Sequence, residues 1–391
     1  MPDAPAMSAA AAAIASGLAE IDARNLRRTR RVLDSPQGAR IVADGASVLN
    51  FASNDYLGLA AHPRLLAAAH AALDRYGAGS GASPLVVGHQ RAHEEAEARF
   101  AAFVRLPRAL LFGSGYAANL GILTALADRR AEIFCDRLNH ACLNDGALLS
   151  RARMVRYAHA DLDALERALA RSRAATRIVA TDSVFSMDGD VADVARLVAL
   201  CERHDAWLVV DDAHGIGVLG DHGRGTLEHC GVASERIVYM ATLGKALGSH
   251  GAFVAGHAAV VEWILQRART YIFSTALPAA SAAAATAALD LLEEEPAIVA
   301  TLRQRIARLR ERGAALAGLQ PSITAIQPIV LGEADAAVQA SRRLLERGLL
   351  VPAIRPPTVP PGTSRLRVSL SAAHSEGDID ALADALAQCL P

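Results

Sequence analysis

The chain has 391 residues, of which 52% are hydrophobic and 4% aromatic, and its formal net charge at pH 7 is −1. A charge so close to zero excludes the strong positive field that draws proteins to nucleic acid or to anionic membranes. The length is enough for a large domain and a smaller one, and an alanine-rich, aromatic-poor composition favours a helix-rich α/β protein.

The cysteines and the apolar runs indicate a cytoplasmic protein. The five cysteines are scattered, with neither a C-x-x-C pair nor the spacing of metal ligands, which is typical of reduced thiols. No apolar run is long enough to span a bilayer, and the alanine-rich N-terminus lacks the basic region of a signal peptide. We therefore expect no membrane segment, no bound metal and no nucleic acid partner.

The first part of the chain predicts a helical arm. Residues 9–31 favour a helix that ends in the basic cluster Arg27–Arg31, and two short strands follow at 39–43 and 47–51. We assign residues 1–46 to this N-terminal helix and arm.

From residue 109 onward, short apolar runs rich in β-branched residues alternate with helical segments. Strands that are apolar on both faces and joined by helical crossovers predict a mostly parallel sheet. We assign residues 47–280 to a large domain built on this sheet. Its strands are predicted at 109–112, 133–136, 177–181, 207–210 and 237–240.

Beyond Pro278 the pattern changes to helices that alternate with short strands, at 326–331, 350–354 and 365–369. Pro328 favours a sheet edge for the first of these strands, because proline cannot donate to a strand ladder. We assign residues 281–391 to a smaller α+β domain.

Polar residues cluster directly after the predicted strands. In an α/β sheet, ligands gather at the carboxyl ends of the strands. Each group has a structural alternative, such as a helix cap, a turn or a buried histidine, but their number at one edge favours a shared site. The groups are Ser114–Tyr116, Asp136–His140, Asp182–Asp190, Asp211–His214 and Thr242–Lys245.

Two of these residues indicate a particular chemistry. Lys245 is either an exposed turn lysine or an amine whose pKa is lowered by burial, which frees it for Schiff-base formation. Asp211 would suit the pyridinium nitrogen of pyridoxal phosphate, or would serve as a helix cap or a magnesium ligand. The nucleotide alternative fails because Ala246, and not serine or threonine, follows the only Gly-Lys pair.

Seven motifs together resemble the α-oxoamine synthases, which are fold-type I pyridoxal-phosphate enzymes that condense an amino acid with an acyl thioester. The resemblance covers nearly the whole chain and implies the fold-type I transferase architecture, with a homodimer that shares its active sites. The motifs are N-F-A-S-N-D-Y-L-G-L (50–59), S-G-Y-A-A-N (114–119), D-R-L-N-H-A (136–141), V-F-S-M-D-G-D (184–190), D-D-A-H-G-I-G (211–217), T-L-G-K-A-L-G (242–248) and A-I-R-P-P-T-V-P-P-G-T-S-R-L-R (353–367).

The resemblance implies how the pyridoxal 5'-phosphate is held. Lys245 would bond covalently to the cofactor, Asp211 would pair with its pyridinium nitrogen, and His214 would hydrogen-bond its phenolic oxygen. His140 would stack over the ring, and Ser186 would lie close to it. Catalysis is expected from Lys245, His140 and Asp211.

The resemblance also implies a phosphate site and a substrate side. Gly115, Tyr116 and Thr242 would help to hold the phosphate, and the first two stand where a helix start could offer free N–H groups. Asn54 and Thr358 lie in motifs on the substrate side, where His140 is also expected to contact the substrate.

Two arginines are expected to meet the substrates. Arg355 would clamp the carboxylate of the amino acid, since a guanidinium matches a carboxylate bidentately. One arginine after the N-terminal helix would meet the acyl substrate, and Arg27 matches best within the cluster Arg27–Arg31. A solvated basic helix end is the alternative for that cluster.

Within the family, G-S-G-A-S-P-L-V-V-G (79–88) and F-S-M-D-G-D most resemble the biotin-pathway branch. That branch implies L-alanine and a pimeloyl thioester, carried by CoA or by acyl carrier protein, as substrates. The alternatives are a relative that uses glycine or serine, such as 2-amino-3-oxobutyrate ligase, and a catalytically silent scaffold subunit. Ser274 and Thr275 are the residues expected to reach across a dimer.

Overall fold

The structure is a computed structural model that describes residues 8–24 and 26–390. A π-helical turn spans Pro84–Gly88. The helices are α1 (Ala9–Ala23), α2 (Pro63–Tyr76), α3 (Arg91–Phe103), α4 (Gly115–Leu126), α5 (Ala141–Leu149), α6 (Leu162–Arg171), α7 (Val194–Arg203), α8 (Thr226–Cys230), α9 (Ala258–Arg267), α10 (Arg269–Ile272), α11 (Ala279–Glu294), α12 (Ala297–Arg312), α13 (Ala334–Glu346) and α14 (Glu376–Cys389). The strands are β1 (Arg40–Ala43), β2 (Ala46–Asn50), β3 (Arg108–Phe112), β4 (Ala131–Asp136), β5 (Arg153–Tyr157), β6 (Thr176–Asp182), β7 (Trp207–Asp211), β8 (Ile237–Thr242), β9 (Ala252–Gly256), β10 (Ile326–Gly332), β11 (Leu349–Leu350), β12 (Ala353–Ile354) and β13 (Ser364–Ser369).

The central sheet has the strand order β3-β9-β8-β7-β6-β4-β5, and the mostly parallel sheet predicted from the sequence is confirmed. The five strands from β8 to β5 run parallel, and only β9 runs antiparallel to its neighbours. The register pairs Asp182 with Asp211, and Asp211 with Met240. The ends of β6, β7 and β8 therefore meet at one edge of the sheet.

Helices cover both faces of this sheet. Successive strand residues point to opposite sides, and here the side chains on both sides are apolar and need to be buried. On β7, Leu208 and Val210 face a core that includes Phe100 of α3, whereas Val209 faces a second core that includes Ile122 of α4. Burial on both faces explains why these strands are continuous apolar runs, and it fixes the register that aligns their polar ends.

Two smaller sheets involve the C-terminal part of the chain. Pro328 lies on β10, at the edge of the sheet β10-β13-β12, as predicted. The single strand predicted at 350–354 is wrong: β11 pairs with β2 in one sheet, and β12 pairs with β13 in another. Pro352 separates the two pieces, and its ring removes the N–H that a continuous strand would need. The domain division at 46 and 280 stays a prediction.

The N-terminal helix is shorter than the sequence predicts. Helix α1 ends at Ala23, with Arg24 as its C-terminal cap, and not at Arg31. Like charges spaced three or four residues apart destabilise a helix, and the following basic cluster contains such pairs. Among residues 8–24 and 26–390, no helix has both the length and the apolar character needed to cross a membrane.

Candidate active site

The turn after β8 fixes the position of Lys245. The Thr242 hydroxyl donates to the carbonyl of Gly251 at 3.0 Å and accepts from the Gly244 N–H at 3.2 Å. Gly248 has φ +61°, and a Cβ on it would lie 2.5 Å from the backbone carbon of Leu59. Only glycine fits so close an approach, and the turn therefore packs against the segment that follows residue 58.

The amine of Lys245 is the first of a series of buried polar groups that contact one another. Its Nζ lies 2.7 Å from His214 Nε2, and His214 Nδ1 lies 2.7 Å from the Tyr56 hydroxyl. Burial lowers the pKa of Lys245 to about 8, although the carboxylates of Asp211 and Asp182 oppose this shift. Burial, followed by the charge of Lys245, lowers the pKa of His214 well below its usual value. A neutral imidazole thus contacts an amine that loses its proton near physiological pH.

Asp211 is the last residue of β7 and is buried. Its Oδ2 accepts from Asn119 Nδ2 at 2.7 Å, and its Oδ1 accepts from the Ala213 N–H at 2.9 Å. Asn119 Oδ1 is buried without a hydrogen-bond partner in the described part of the chain. These contacts fix the carboxylate of Asp211 beside Lys245 and leave Asn119 Oδ1 free to accept a hydrogen bond.

His140 faces the same space from the turn that follows β4. It is the N-terminal cap of α5, and its ring accepts weakly from the Cys142 N–H at 3.3 Å. Its own backbone N–H donates to Asp182 Oδ2 at 2.7 Å. Burial lowers the pKa of the ring, with Asp211 opposing the shift, so the imidazole is neutral at pH 7 and above.

The start of α4 adjoins the lysine turn. Ser114 caps this helix by accepting from the Ala117 N–H at 3.1 Å. A Cβ on Gly115 would lie 3.9 Å from the Cβ of Thr242, which places the first N–H groups of α4 beside the turn. Such N–H groups have no partner within a helix and readily bind phosphate. The Tyr116 hydroxyl donates to Asp145.

A cavity of about 690 Å³ is lined by half of the predicted site residues. Asp211, Gly115, Tyr116 and Thr242 lie beside it at the strand ends and do not border it. The predicted residues that line it are Lys245, His140, His214, Ser186, Asn54 and Thr358.

Arg27 and Arg355 lie at the margin of this cavity and do not line it. The Arg27 guanidinium pairs with Asp22 at 2.5 and 2.7 Å, and the Arg27 carbonyl accepts from Arg355 Nη2 at 3.3 Å. Arg28, the next residue of the basic cluster, borders the cavity instead. The substrate roles of Arg27 and Arg355 remain predictions.

Arg367 borders the cavity, and the sequence reasoning missed it. Its Nε donates to the Ser186 carbonyl at 2.5 Å, its Nη1 to Asn54 Oδ1 at 3.1 Å, and its Nη2 approaches the Tyr56 hydroxyl at 3.4 Å. The signal was present, because Arg367 ends the motif 353–367 and alternates with Arg365 along β13. Arg365 pairs with Asp188 in the same loop that carries Ser186.

His159 bridges two loops of the site. Its Nδ1 lies 3.1 Å from Asp136 Oδ1, and its Nε2 lies 2.9 Å from Asp190 Oδ2. Hydrogen bonds to both carboxylates raise the pKa of His159 to about 10, so the ring is protonated at neutral pH. Asp136 precedes the turn that carries His140, and Asp190 closes the loop that carries Ser186. The bridge therefore ties together two walls of the cavity.

The donor set fits pyridoxal phosphate. An amine with a lowered pKa suits its aldehyde, a buried carboxylate suits its ring nitrogen, and the start of α4 suits its phosphate. The unpartnered Oδ1 of Asn119 and the neutral ring of His140 lie in the same region. No other arrangement among the described residues combines these three features.

The family model of aminotransferase class I and II matches residues 46–386. The 8-amino-7-oxononanoate synthase of Methylobacillus flagellatus is 56% identical over 375 residues, which cover 96% of this chain and 95% of the relative. The synthase of the same name from Methylococcus capsulatus is 55% identical over 379 residues, with 96% and 98% coverage.

Solved structures show the same similarity. A serine palmitoyltransferase from Sphingomonas wittichii has a TM-score of 0.90 at 30% identity, with 99% of this chain and 98% of that chain covered. An 8-amino-7-oxononanoate synthase from Francisella tularensis has a TM-score of 0.76 at 31% identity, with 87% and 97% covered. A structure of SPT with a PLP internal aldimine has a TM-score of 0.90 at 28% identity and covers 97% and 96%. The chain belongs to the aminotransferase class I and II family, and over nearly its full length it is similar to 8-amino-7-oxononanoate synthases.

Proposed function

We propose that this protein condenses L-alanine with a pimeloyl thioester to give 8-amino-7-oxononanoate, the free thiol and CO₂, in biotin biosynthesis. Pyridoxal 5'-phosphate is its cofactor, held by Lys245. The observation that carries the proposal is the Lys245 amine, which has a pKa of about 8 and lies 2.7 Å from His214 beside a cavity lined by His140 and Arg367. The identity of about 55% to synthases of this name, over nearly the full length, supports the choice of reaction.

The cofactor, once bound, supplies an electron sink that stabilises a carbanion at Cα of the amino acid. Lys245 is the group placed to remove the Cα proton and to return a proton after decarboxylation, because its pKa lies near the working pH. Asp211 keeps a proton on the ring nitrogen, since a buried carboxylate favours the charged form of an adjacent base. His214 Nε2, released from Lys245, would donate to the phenolic oxygen, and neutral His140 can stack on the ring.

The phosphate would lie where α4 begins. The N–H groups of Gly115 and Tyr116 and the hydroxyl of Thr242 surround that point, and the positive end of the helix dipole favours an anion. Ser186 lies on the facing loop, whose position depends on Arg367 and on the His159 bridge. Held in this way, the ring would keep one orientation relative to Lys245.

Two arginines are candidates for binding the carboxylate of L-alanine. The motif assigns the role to Arg355, whereas the location favours Arg367, which borders the cavity and holds Asn54. Arg355 would need to leave the carbonyl of Arg27 before it could turn inward. Thr358, which borders the cavity, follows Arg355 on the same turn and would lie near the acyl chain.

The acyl thioester would enter past the N-terminal basic cluster. Arg28 borders the cavity, and Arg27 lies beside it, held by Asp22. Either guanidinium would suit the free carboxylate of a pimeloyl chain. The acyl donor is either the CoA thioester or the acyl carrier protein thioester, and comparing turnover of the two at equal concentration distinguishes these alternatives.

We expect a cytoplasmic homodimer with shared active sites. Leu85, Val86, Val87 and Phe273 are large apolar residues that are all exposed, with Val86 and Val87 at 71% and 74%. The hydrogen bond from Ser80 to the Leu277 carbonyl at 2.7 Å fixes the two segments together. Exposed apolar clusters mark protein interfaces, and Ser274 and Thr275 stand beside this one. Light scattering of wild type and Val87→Lys tests the assembly.

The decisive experiment on substrate choice offers pimeloyl-CoA with L-alanine, glycine or L-serine and measures the release of CoA. We expect L-alanine to be preferred, although a single methyl group is worth only about 1–3 kcal/mol in a pocket. A preference for glycine with a short acyl-CoA would favour the 2-amino-3-oxobutyrate ligase reaction instead. Absence of turnover with every pair would favour the scaffold alternative.

A further inference from the structure

A second cavity, of about 310 Å³, shares no lining residue with the catalytic cavity. Its walls come from the turn between α3 and β3 and from the segment that runs through α8 toward β8. The catalytic residues lie on the loops that leave the strands, whereas these segments lead into them. Whatever occupies this cavity therefore does not contact Lys245.

One wall of the cavity carries an arginine whose donors lack acceptors. Nε and Nη1 of Arg224 are buried and have no hydrogen-bond partner among the described residues, and the side chain is 17% exposed. Its Cζ lies 5.9 Å from the centre of the Phe103 ring, a weak cation–π contact that gives its N–H groups no oxygen acceptor. Burying guanidinium donors without an acceptor is costly, so the geometry favours an occupant that accepts hydrogen bonds.

The nearest carboxylate does not satisfy these donors. Glu228 Oε1 lies 3.6 Å from Arg224 Nη1, beyond hydrogen-bond distance. The oxygens of Glu228 instead accept from the His222 N–H at 3.1 Å, from the Arg224 backbone N–H at 3.1 Å and from His222 Nδ1 at 2.6 Å. Glu228 offsets part of the charge of Arg224 but leaves its donors free.

The remaining walls define the kind of ligand. Arg105 lines the cavity from a turn in which its φ is +57°, and it forms no ion pair within the described chain. Val104, Leu227 and Val232 provide an apolar surface beside the two guanidinium groups. We propose that this cavity binds a small aliphatic carboxylate, whose carboxylate group accepts from Arg224 and Arg105 while its hydrocarbon chain packs against Val104, Leu227 and Val232.

Calorimetry with hexanoate as the probe tests this site on the cofactor-loaded protein, with L-alanine present in excess to occupy the amino acid site. The variants below distinguish this cavity from the acyl site beside Arg28, because neither Arg224 nor Arg105 lines the catalytic cavity. We expect hexanoate to bind more tightly than hexanamide, which has the same length but no charge. We expect Arg224→Gln to weaken hexanoate binding by about tenfold to a hundredfold, the usual effect of losing hydrogen bonds to a charged group. Arg173→Asn, which changes an exposed arginine elsewhere, should leave binding unchanged.

Arg105→Asn is the second variant, because asparagine tolerates a positive φ and the turn should keep its shape. We expect Arg105→Asn to weaken hexanoate binding severalfold and to leave turnover unchanged. If Arg224→Gln does not fold, this variant alone tests whether hexanoate binds in the cavity. Equal affinity for hexanoate and hexanamide, or unchanged binding in Arg105→Asn, would overturn the proposal. A crystal grown with hexanoate that shows only water, an inorganic anion or a second copy of the chain in this cavity would overturn it as well.

Discussion

Replacing Asp211 with asparagine should lower the pKa of Lys245 further. Among the groups that raise this pKa against the effect of burial, Asp211 is the first. The substitution preserves the shape of the side chain and removes its charge. Asn119 Oδ1, which has no hydrogen-bond partner among the described residues, can accept from the new amide after a rotation of the Asn119 side chain. The fold is therefore expected to survive the change.

The size of the effect follows from the charge that is lost. An opposite charge within about 4–6 Å changes a pKa by about one to three units. In wild type, a pKa of about 8 leaves the amine neutral in about one molecule in ten at pH 7. In Asp211→Asn, at least about half of the molecules should be neutral at that pH.

The assay uses a feature of the composition. Lys245 is the only lysine in the sequence, so an amine-directed reagent reports on a single side-chain amine. Cofactor-free protein is acetylated briefly at a series of pH values, and the peptide that contains Lys245 is quantified by mass spectrometry. The N-terminal amine is resolved as a separate peptide and serves as the internal control.

We expect the labelling rate of wild type to rise with a midpoint near pH 8, and that of Asp211→Asn to rise at least about one pH unit lower. A wild-type midpoint near 10.4, the value of a solvated lysine, would refute the claim that Lys245 is buried among these groups. An identical midpoint in the variant would show that Asp211 does not act on the amine.

Three further predictions concern the site. Arg367→Lys should raise KM for L-alanine by about tenfold to a hundredfold, because lysine cannot reproduce the planar set of donors that Arg367 uses. Arg355→Lys should raise this KM by a smaller factor. His159→Asn should lower the unfolding free energy by about 1.5–3 kcal/mol. The hydrogen bonds to Asp136 and Asp190 raise the pKa of His159 to about 10 in the folded protein. The stabilisation that His159 provides is therefore complete below pH 6.5 and is lost as the pH rises through 10. Borohydride reduction of the cofactor-loaded protein should add the mass of the reduced cofactor to the Lys245 peptide and to no other.

Each of these predictions has a clear contrary result. A larger rise in KM in Arg355→Lys than in Arg367→Lys would restore the carboxylate role that the motif gives to Arg355. A stability difference between wild type and His159→Asn that stays constant from pH 6 to pH 10.5 would show that His159 does not act through its charge. Cofactor mass on a peptide without Lys245 would remove that residue from the proposed mechanism.

The sequence was sufficient to predict the sheet and its reactive edge because both depend on local patterns. Strands such as β7 are apolar on both faces, which requires helical crossovers and leaves polar residues only at the ends. The register then places Asp182 and Asp211 side by side without further information. The same reasoning led to Lys245 and His214, which the structure places 2.7 Å apart.

What the sequence could not predict depends on contacts between distant segments. Arg367 acquires its place because β13 approaches the loop that carries Ser186, 181 residues away in the chain. Arg355 is drawn to the carbonyl of Arg27, across 328 residues, and no local pattern encodes that contact. The bridge made by His159 has no local sequence signal, because its partners, Asp136 and Asp190, lie on different loops.

The most direct test of the proposed function is a turnover assay of wild type and Lys245→Ala with L-alanine and pimeloyl-CoA. Lys245→Arg, which keeps the positive charge but not a nucleophilic amine, is the matched control. We expect wild type to release CoA and CO₂ in equal amounts with formation of 8-amino-7-oxononanoate, and both variants to be inactive. Turnover by either variant at close to the wild-type rate, or CoA release by wild type without CO₂, would contradict the proposal.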